Sequence, residues 1–144
     1  MPKLSRSALV RASAMQMYEL VNDVESYKEF LPGCVGGKVI EFDGKTMLAS
    51  VDVAKAGIKK TFSTRNQVIP GKRIELTLDN GPFKHLQGYW QFTELTDDAC
   101  KVEFELDFAF SSPLVAMAFG KIFEDLVGSM VQAFTQRAKV IYPG

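Results

Sequence analysis

The stretch PLVAMAFGKIFEDLVGSMVQAFTQRAKVIY, residues 113–142, decides how the rest of the chain must be arranged. Wound at 3.6 residues per turn, it gathers Phe119, Ile122, Phe123, Leu126, Val127, Met130, Ala133, Phe134 and Ile141 on one broad face. Lys121, Glu124, Asp125, Gln132, Gln136 and Lys139 take the other. Ser112 suits the N-cap and Pro113 the first helical position, where a missing N–H costs no bond. Pro143 and Gly144 stop the helix, which at 1.5 Å per residue runs roughly 45 Å. One residue breaks the pattern. Arg137 falls near the middle of the apolar face, where a charge needs a partner, water or a ligand.

A large apolar surface must cover this helix, and the residues before it supply one. From Val35 to Phe110 the hydrophobic period is two, punctuated by Asp43-Gly44, Pro70-Gly71, Asn80-Gly81-Pro82 and Thr96-Asp97-Asp98. Val102, Phe104, Leu106, Phe108 and Phe110 alternate with Glu103, Glu105 and Asp107, and Ile74, Leu76 and Leu78 repeat the pattern one hairpin earlier. Connections this short predict an antiparallel meander of five or six strands with one wet face. Upstream, Ser5–Val10 reads as a further strand. Ser13-Ala14-Met15-Gln16 matches a capping box, and Asp23 opens a second small helix ended by Pro32-Gly33. The architecture expected is α+β: one domain, 1–144, with two small helices after the first strand and a curved antiparallel sheet of about six or seven strands wrapped around the long C-terminal helix. A helix about 10 Å wide cannot fill a deeply curved sheet, so space should remain between them.

Charge excludes little by itself, since 17 bases balance 17 acids. Its distribution is uneven. Lys55, Lys59, Lys60, Arg65, Lys72, Arg73 and Lys84 face only Glu75 and Asp79 in one segment, while six acids face Lys101 between Glu94 and Asp107. Cys34 and Cys100 lie far apart without metal-ligand spacing, which suits reduced thiols. No signal peptide opens the sequence, and the longest apolar run, Leu114–Phe119, is too short to span a bilayer, so a cytoplasmic protein is expected.

Ala49, Thr64 and Gly88 share the inward face with Val51, Phe62 and Trp90, and small residues among large ones leave room for a ligand. Catalytic signals are weak. His85 sits in a loop with no serine, cysteine or acid pattern beside it, and no metal-ligand cluster or phosphate-binding glycine loop is present in the sequence. Lys59, Arg65 and their neighbours fall on the outer sheet face, where they could hold RNA phosphates, although no aromatic platform is interleaved with them.

Five blocks carry a resemblance: Leu20-Val21-Asn22-Asp23-Val24-Glu25-Ser26-Tyr27, Phe30-Leu31-Pro32-Gly33-Cys34, Lys60-Thr61-Phe62-Ser63-Thr64-Arg65-Asn66, Gly81-Pro82-Phe83-Lys84 and Met130 to Ala138. Together with the element order they resemble the helix-grip fold of START-type lipid-binding proteins (SRPBCC, Bet v-like), within its coenzyme-Q-binding and polyketide-cyclase-like group. The resemblance implies two roles, neither enzymatic, which use different surfaces and need not exclude each other. The leading one is binding of ubiquinone or a similar isoprenoid in support of respiration, with Phe62, Thr64, Trp90, Phe92, Met130 and Phe134 as walls and Arg137 at the head group. The alternative, from a bacterial branch of toxins, is binding of the large (50S) ribosomal subunit so that subunits cannot associate and translation cannot initiate; Lys59, Lys60, Arg65 and Lys84 would contact the RNA. Neither role calls for a metal, DNA, a transmembrane segment or a cofactor beyond the bound apolar molecule.

Overall fold

Two serines set the helix starts. Ser13 Oγ accepts from the Gln16 N–H at 3.1 Å while Gln16 Oε1 accepts from the Ser13 N–H at 2.9 Å, closing the capping box. Ser112 Oγ accepts from the Val115 N–H at 3.2 Å. The computed structural model describes residues 3–143; Met1, Pro2 and Gly144, the last read above as part of the helix stop, lie outside them. In order come β1 (Lys3–Val10), α1 (Ala14–Asn22), a 3-10 helix (Val24–Glu29), β2 (Cys34–Phe42), β3 (Thr46–Lys55), β4 (Ile58–Ile69), β5 (Arg73–Asn80), β6 (Phe83–Thr96), β7 (Ala99–Phe110) and α2 (Pro113–Ile141). Asp23 differs from expectation: its carboxylate accepts from Ser26 Oγ at 2.6 Å rather than from a backbone N–H. The short helix it precedes is wound 3-10.

All neighbouring strands are antiparallel, and the order β1-β7-β6-β5-β4-β3-β2 makes a seven-stranded meander whose first strand returns to the last. β1 pairs along its whole length, from Lys3 opposite Asp107 to Val10 opposite Cys100. The marked turns all appear. An unmarked one joins β3 to β4, where Ala56 (φ 54°) and Gly57 (φ 81°) both turn left-handed, the geometry that matches strand twist in a two-residue hairpin.

The sheet closes over α2 with Phe104 and Phe108 of β7 against Phe119, Phe123 and Phe134 of the helix, all at most 2% exposed. The buried stripe of α2 is rotated slightly from the expected one. Val131 and Ala138 are buried, whereas Ile141, counted inside, is 43% exposed. In the final turn the inward positions are Ala138 and, just beyond the helix, Tyr142, which lie beside Leu9 and Val10 of β1.

Candidate functional site

Between sheet and helix lies a cavity of about 70 Å³, lined by Ala49 and Val51 of β3, Phe62, Thr64 and Asn66 of β4, Trp90 of β6, and Leu126, Val127 and Met130 of α2. Tyr27 and Leu31 close it from the 3-10 side. The space is far below the several hundred cubic ångströms typical of ligand pockets, because aromatic rings fill most of the gap that a single helix leaves. Phe62 packs edge-on against Phe83 and Phe123 at 5.7 and 5.6 Å, and Trp90 stacks on Phe104 at 4.3 Å. Gly88, expected to open room, does not. A Cβ there would meet the Glu105 carbonyl oxygen at 2.0 Å, so the backbone of β7 already occupies that space.

Of the expected walls, Phe62, Thr64, Trp90 and Met130 line the cavity, while Phe92 and Phe134 sit behind it. Phe92 packs on Trp90 and Tyr18; Phe134 meets Trp90, Tyr27 and Phe30 at 5.4, 5.3 and 5.2 Å and seals one end. Arg137 does not reach in. Its Nη2 donates to Glu29 Oε1 at 2.7 Å, and its guanidinium lies 5.1 Å from the Phe30 ring, so it ties α2 to the 3-10 helix at the outer rim. Tyr27 and Phe30, placed by the sequence on the second small helix but not among the site residues, therefore belong to the closure of the cavity. Their three-residue spacing before Pro32-Gly33 was the available signal.

Polar groups inside are few. Asn66 is 6% exposed and its Oδ1 has no hydrogen-bond partner among the described residues, an uncompensated acceptor facing an otherwise apolar space. Tyr27 is fully enclosed; burial first, then the nearby Cys34 and Asp23, pushes its phenol up, and its hydroxyl donates to the Val21 carbonyl. Cys34 and Cys100 are free and buried. Burial raises both thiols, Cys100 to about 11, so neither is a thiolate at neutral pH and neither is a ready nucleophile.

Outside, the basic segment divides. Lys59 and Lys60 stand exposed beside the β3–β4 turn together with Lys55, and Lys84 is exposed at the start of β6; none of the four makes an ion pair with a described residue. Arg65 is already engaged by Asp79 at 3.6 Å, an acid that also accepts from Ser63 Oγ. His85 belongs to β6 rather than a loop, and its Nε2 lies 3.2 Å from Asp107 Oδ1. That pair engages no hydroxyl or thiol among the described residues. A groove of about 400 Å³ on the same outer face is lined by Lys3, Arg73, Glu75, Tyr89 and Glu105, which largely satisfy one another: Lys3 pairs with Glu105 at 3.1 Å, and Arg73 lies over Tyr89 at 4.1 Å.

A sheet folded around one long C-terminal helix, with a small apolar cavity between them, defines a helix-grip protein of the START type. The chain belongs to the family described as polyketide cyclase / dehydrase and lipid transport, whose model matches residues 10–135. It is 58% identical to the ribosome association toxin RatA of Vibrio cholerae O1 El Tor, over 99% of both chains. It is 30% identical to the mitochondrial coenzyme Q-binding protein COQ10 homolog B of Xenopus laevis, covering 96% of this chain and 58% of that one. Among solved structures, a protein from Thermus thermophilus superposes with a TM-score of 0.83 over 98% of this chain and 99% of its own, at 17% identity. That likeness speaks for the fold alone. No helix among the described residues is long and apolar enough to cross a membrane.

Proposed function

We propose that this chain binds the large ribosomal subunit and blocks its association with the small one, and that it does so without catalysis. The observation that carries this reading is the likeness to RatA over nearly the whole of both chains. The unpaired lysines around the β3–β4 turn supply a contact of the right sign, because RNA phosphates reward each cation they release counterions for. Arg65, tied to Asp79, contributes less than Lys59, Lys60 and Lys84. Overexpression should raise free subunits at the expense of whole ribosomes in sucrose gradients. The Lys59→Glu/Lys60→Glu variant should restore the normal profile by weakening subunit binding roughly tenfold. Wild-type gradients at an expression level that slows growth would count against the proposal.

A second reading, carriage of ubiquinone or a similar isoprenoid, is favoured by the uncompensated Asn66 amide inside the cavity. A head group that donates an O–H, as a quinol or isoprenoid alcohol does and an oxidised quinone does not, would satisfy the Asn66 Oδ1 beside Thr64, with Phe62, Trp90 and Met130 around the ring and Phe92 and Phe134 behind. A cavity of about 70 Å³ requires those side chains, or the Arg137–Glu29 tie, to open for an isoprenoid to enter. Mass spectrometry of an organic extract of the purified protein should then find such a molecule. Asn66→Leu, which removes the unmet acceptor at similar volume, should keep the fold and lower retention by roughly tenfold. Protein that is consistently empty and takes up no added ubiquinone would eliminate this reading.

A further inference from the structure

The start of α2 stands largely outside the grip of the sheet, with only Val115 of residues 113–118 packed partly against the core. Full burial begins at Phe119 and Gly120; before them Leu114 is 75% and Met117 82% exposed, beside exposed Pro113, Ala116 and Ala118. Leu114 and Met117 are three apart and so share one helix face. A single exposed leucine is ordinary, but two large apolar side chains one turn apart on an otherwise small and apolar helical tip form a patch that water solvates poorly.

The topology gathers cations at this same end. The β3–β4 turn, the β5–β6 turn and the β7–α2 junction all lie there: the Ser111 N–H donates to the Pro82 carbonyl at 3.0 Å, Gly81 abuts Phe62 of β4, and Phe83 is opposite Phe110. Lys55, Lys59, Lys60 and Lys84 are therefore brought to the end that α2 enters from. Of the acids nearby, Asp79 is paired with Arg65 and Asp125 with Lys121 at 3.6 and 3.5 Å, while Asp52, which accepts from Thr61 Oγ1, and Glu124 keep their charge against the more numerous lysines. Exposed apolar side chains also occur at the opposite end, where Phe42 and Leu95 stand among Glu41, Asp43, Glu94, Asp97 and Asp98, while Leu9 and Val140 lie beside Arg11 and Lys139. Charge there is mixed in sign, with Arg11, Lys45, Lys72 and Lys139 set among those acids, whereas the α2 entry carries a run of lysines without ion-pair partners among the described residues.

We infer that the α2 N-terminal end is a docking surface for anionic lipid bilayers, with Leu114 and Met117 entering the headgroup boundary and Lys55, Lys59, Lys60 and Lys84 facing lipid phosphates. Lysines alone would serve RNA as well, since the phosphate chemistry is shared; the apolar pair is what favours a bilayer. One short apolar face plus one basic cluster gives weak, reversible, salt-sensitive attachment rather than insertion.

Co-sedimentation of the full chain with phosphatidylcholine vesicles, with and without phosphatidylglycerol, tests this. The protein should pellet with the anionic vesicles and be released by salt. Leu114→Gln/Met117→Gln should lower partitioning by roughly tenfold, and Lys55→Gln/Lys59→Gln/Lys60→Gln by roughly tenfold or more. Val140→Gln/Ile141→Gln at the other end should bind as wild type, and all three variants should melt like wild type because every altered side chain is exposed. The proposal fails if anionic vesicles are not preferred, if the apolar-pair variant binds them undiminished, or if the opposite-end variant loses as much. Retained vesicle binding with lost pelleting alongside large ribosomal subunits would assign Leu114 and Met117 to the ribosome and overturn it too.

Discussion

Phe134→Ala is expected to cost about 3–5 kcal/mol, the range for truncating a fully buried phenylalanine. The ring is 0% exposed and meets Trp90, Tyr27 and Phe30 edge-on, so its removal leaves three aromatic neighbours facing a void. Tyr27 and Trp90 also line the existing cavity, and the new space would join the old one rather than collapse. For a chain of this size the melting temperature should fall by roughly 10 °C, measured by circular dichroism. A fall of only a degree or two would mean that α2 and the 3-10 helix close the gap, and that Phe134 is less of a seal than its packing indicates.

Gly88→Ala should be comparably severe although it adds one methyl group. The new Cβ would lie 2.0 Å from the Glu105 carbonyl oxygen and 2.9 Å from the Leu106 Cα, and both obstacles are backbone. No rotamer change relieves such contacts; β6 and β7 must separate where Gly88 faces Leu106. A cost of at least about 3 kcal/mol is expected, the upper part of the overpacking range. Urea unfolding should show the midpoint lowered in proportion. A midpoint within experimental error of wild type would show that the sheet can flatten there without penalty.

Most of the architecture is legible from periodicity and punctuation. The alternation from Val102 to Phe110, the caps at Ser13 and Ser112 and the glycine-bearing turns each express a local rule that tertiary packing reinforces. Ala56-Gly57 escaped because alanine rarely adopts positive φ, so only half of that turn carries a signal. The site was less legible. Inward-facing positions could be counted, but the volume left between them depends on how rings tilt against each other and on where β7 passes Gly88, neither of which periodicity encodes. Arg137 shows the same limit: its helical position placed it on the apolar face, yet its partner Glu29 is 108 residues away in sequence. His85 likewise acquires Asp107 only once β6 and β7 pair.

The pairing of β1 with β7 also has a bearing on synthesis. The first of the seven described strands to be made, Lys3–Val10, must wait for Cys100–Asp107 before it has its neighbour in the sheet, and the core must wait for α2 after that. Such long-range pairing folds slowly because loop closure precedes any gain in contacts. During elongation the apolar faces of β2 to β6 are made before the helix that covers them, so the nascent chain is most prone to aggregation just before residue 113 emerges. A stop or truncation that removes α2 would leave an open, apolar-faced sheet rather than a smaller folded protein.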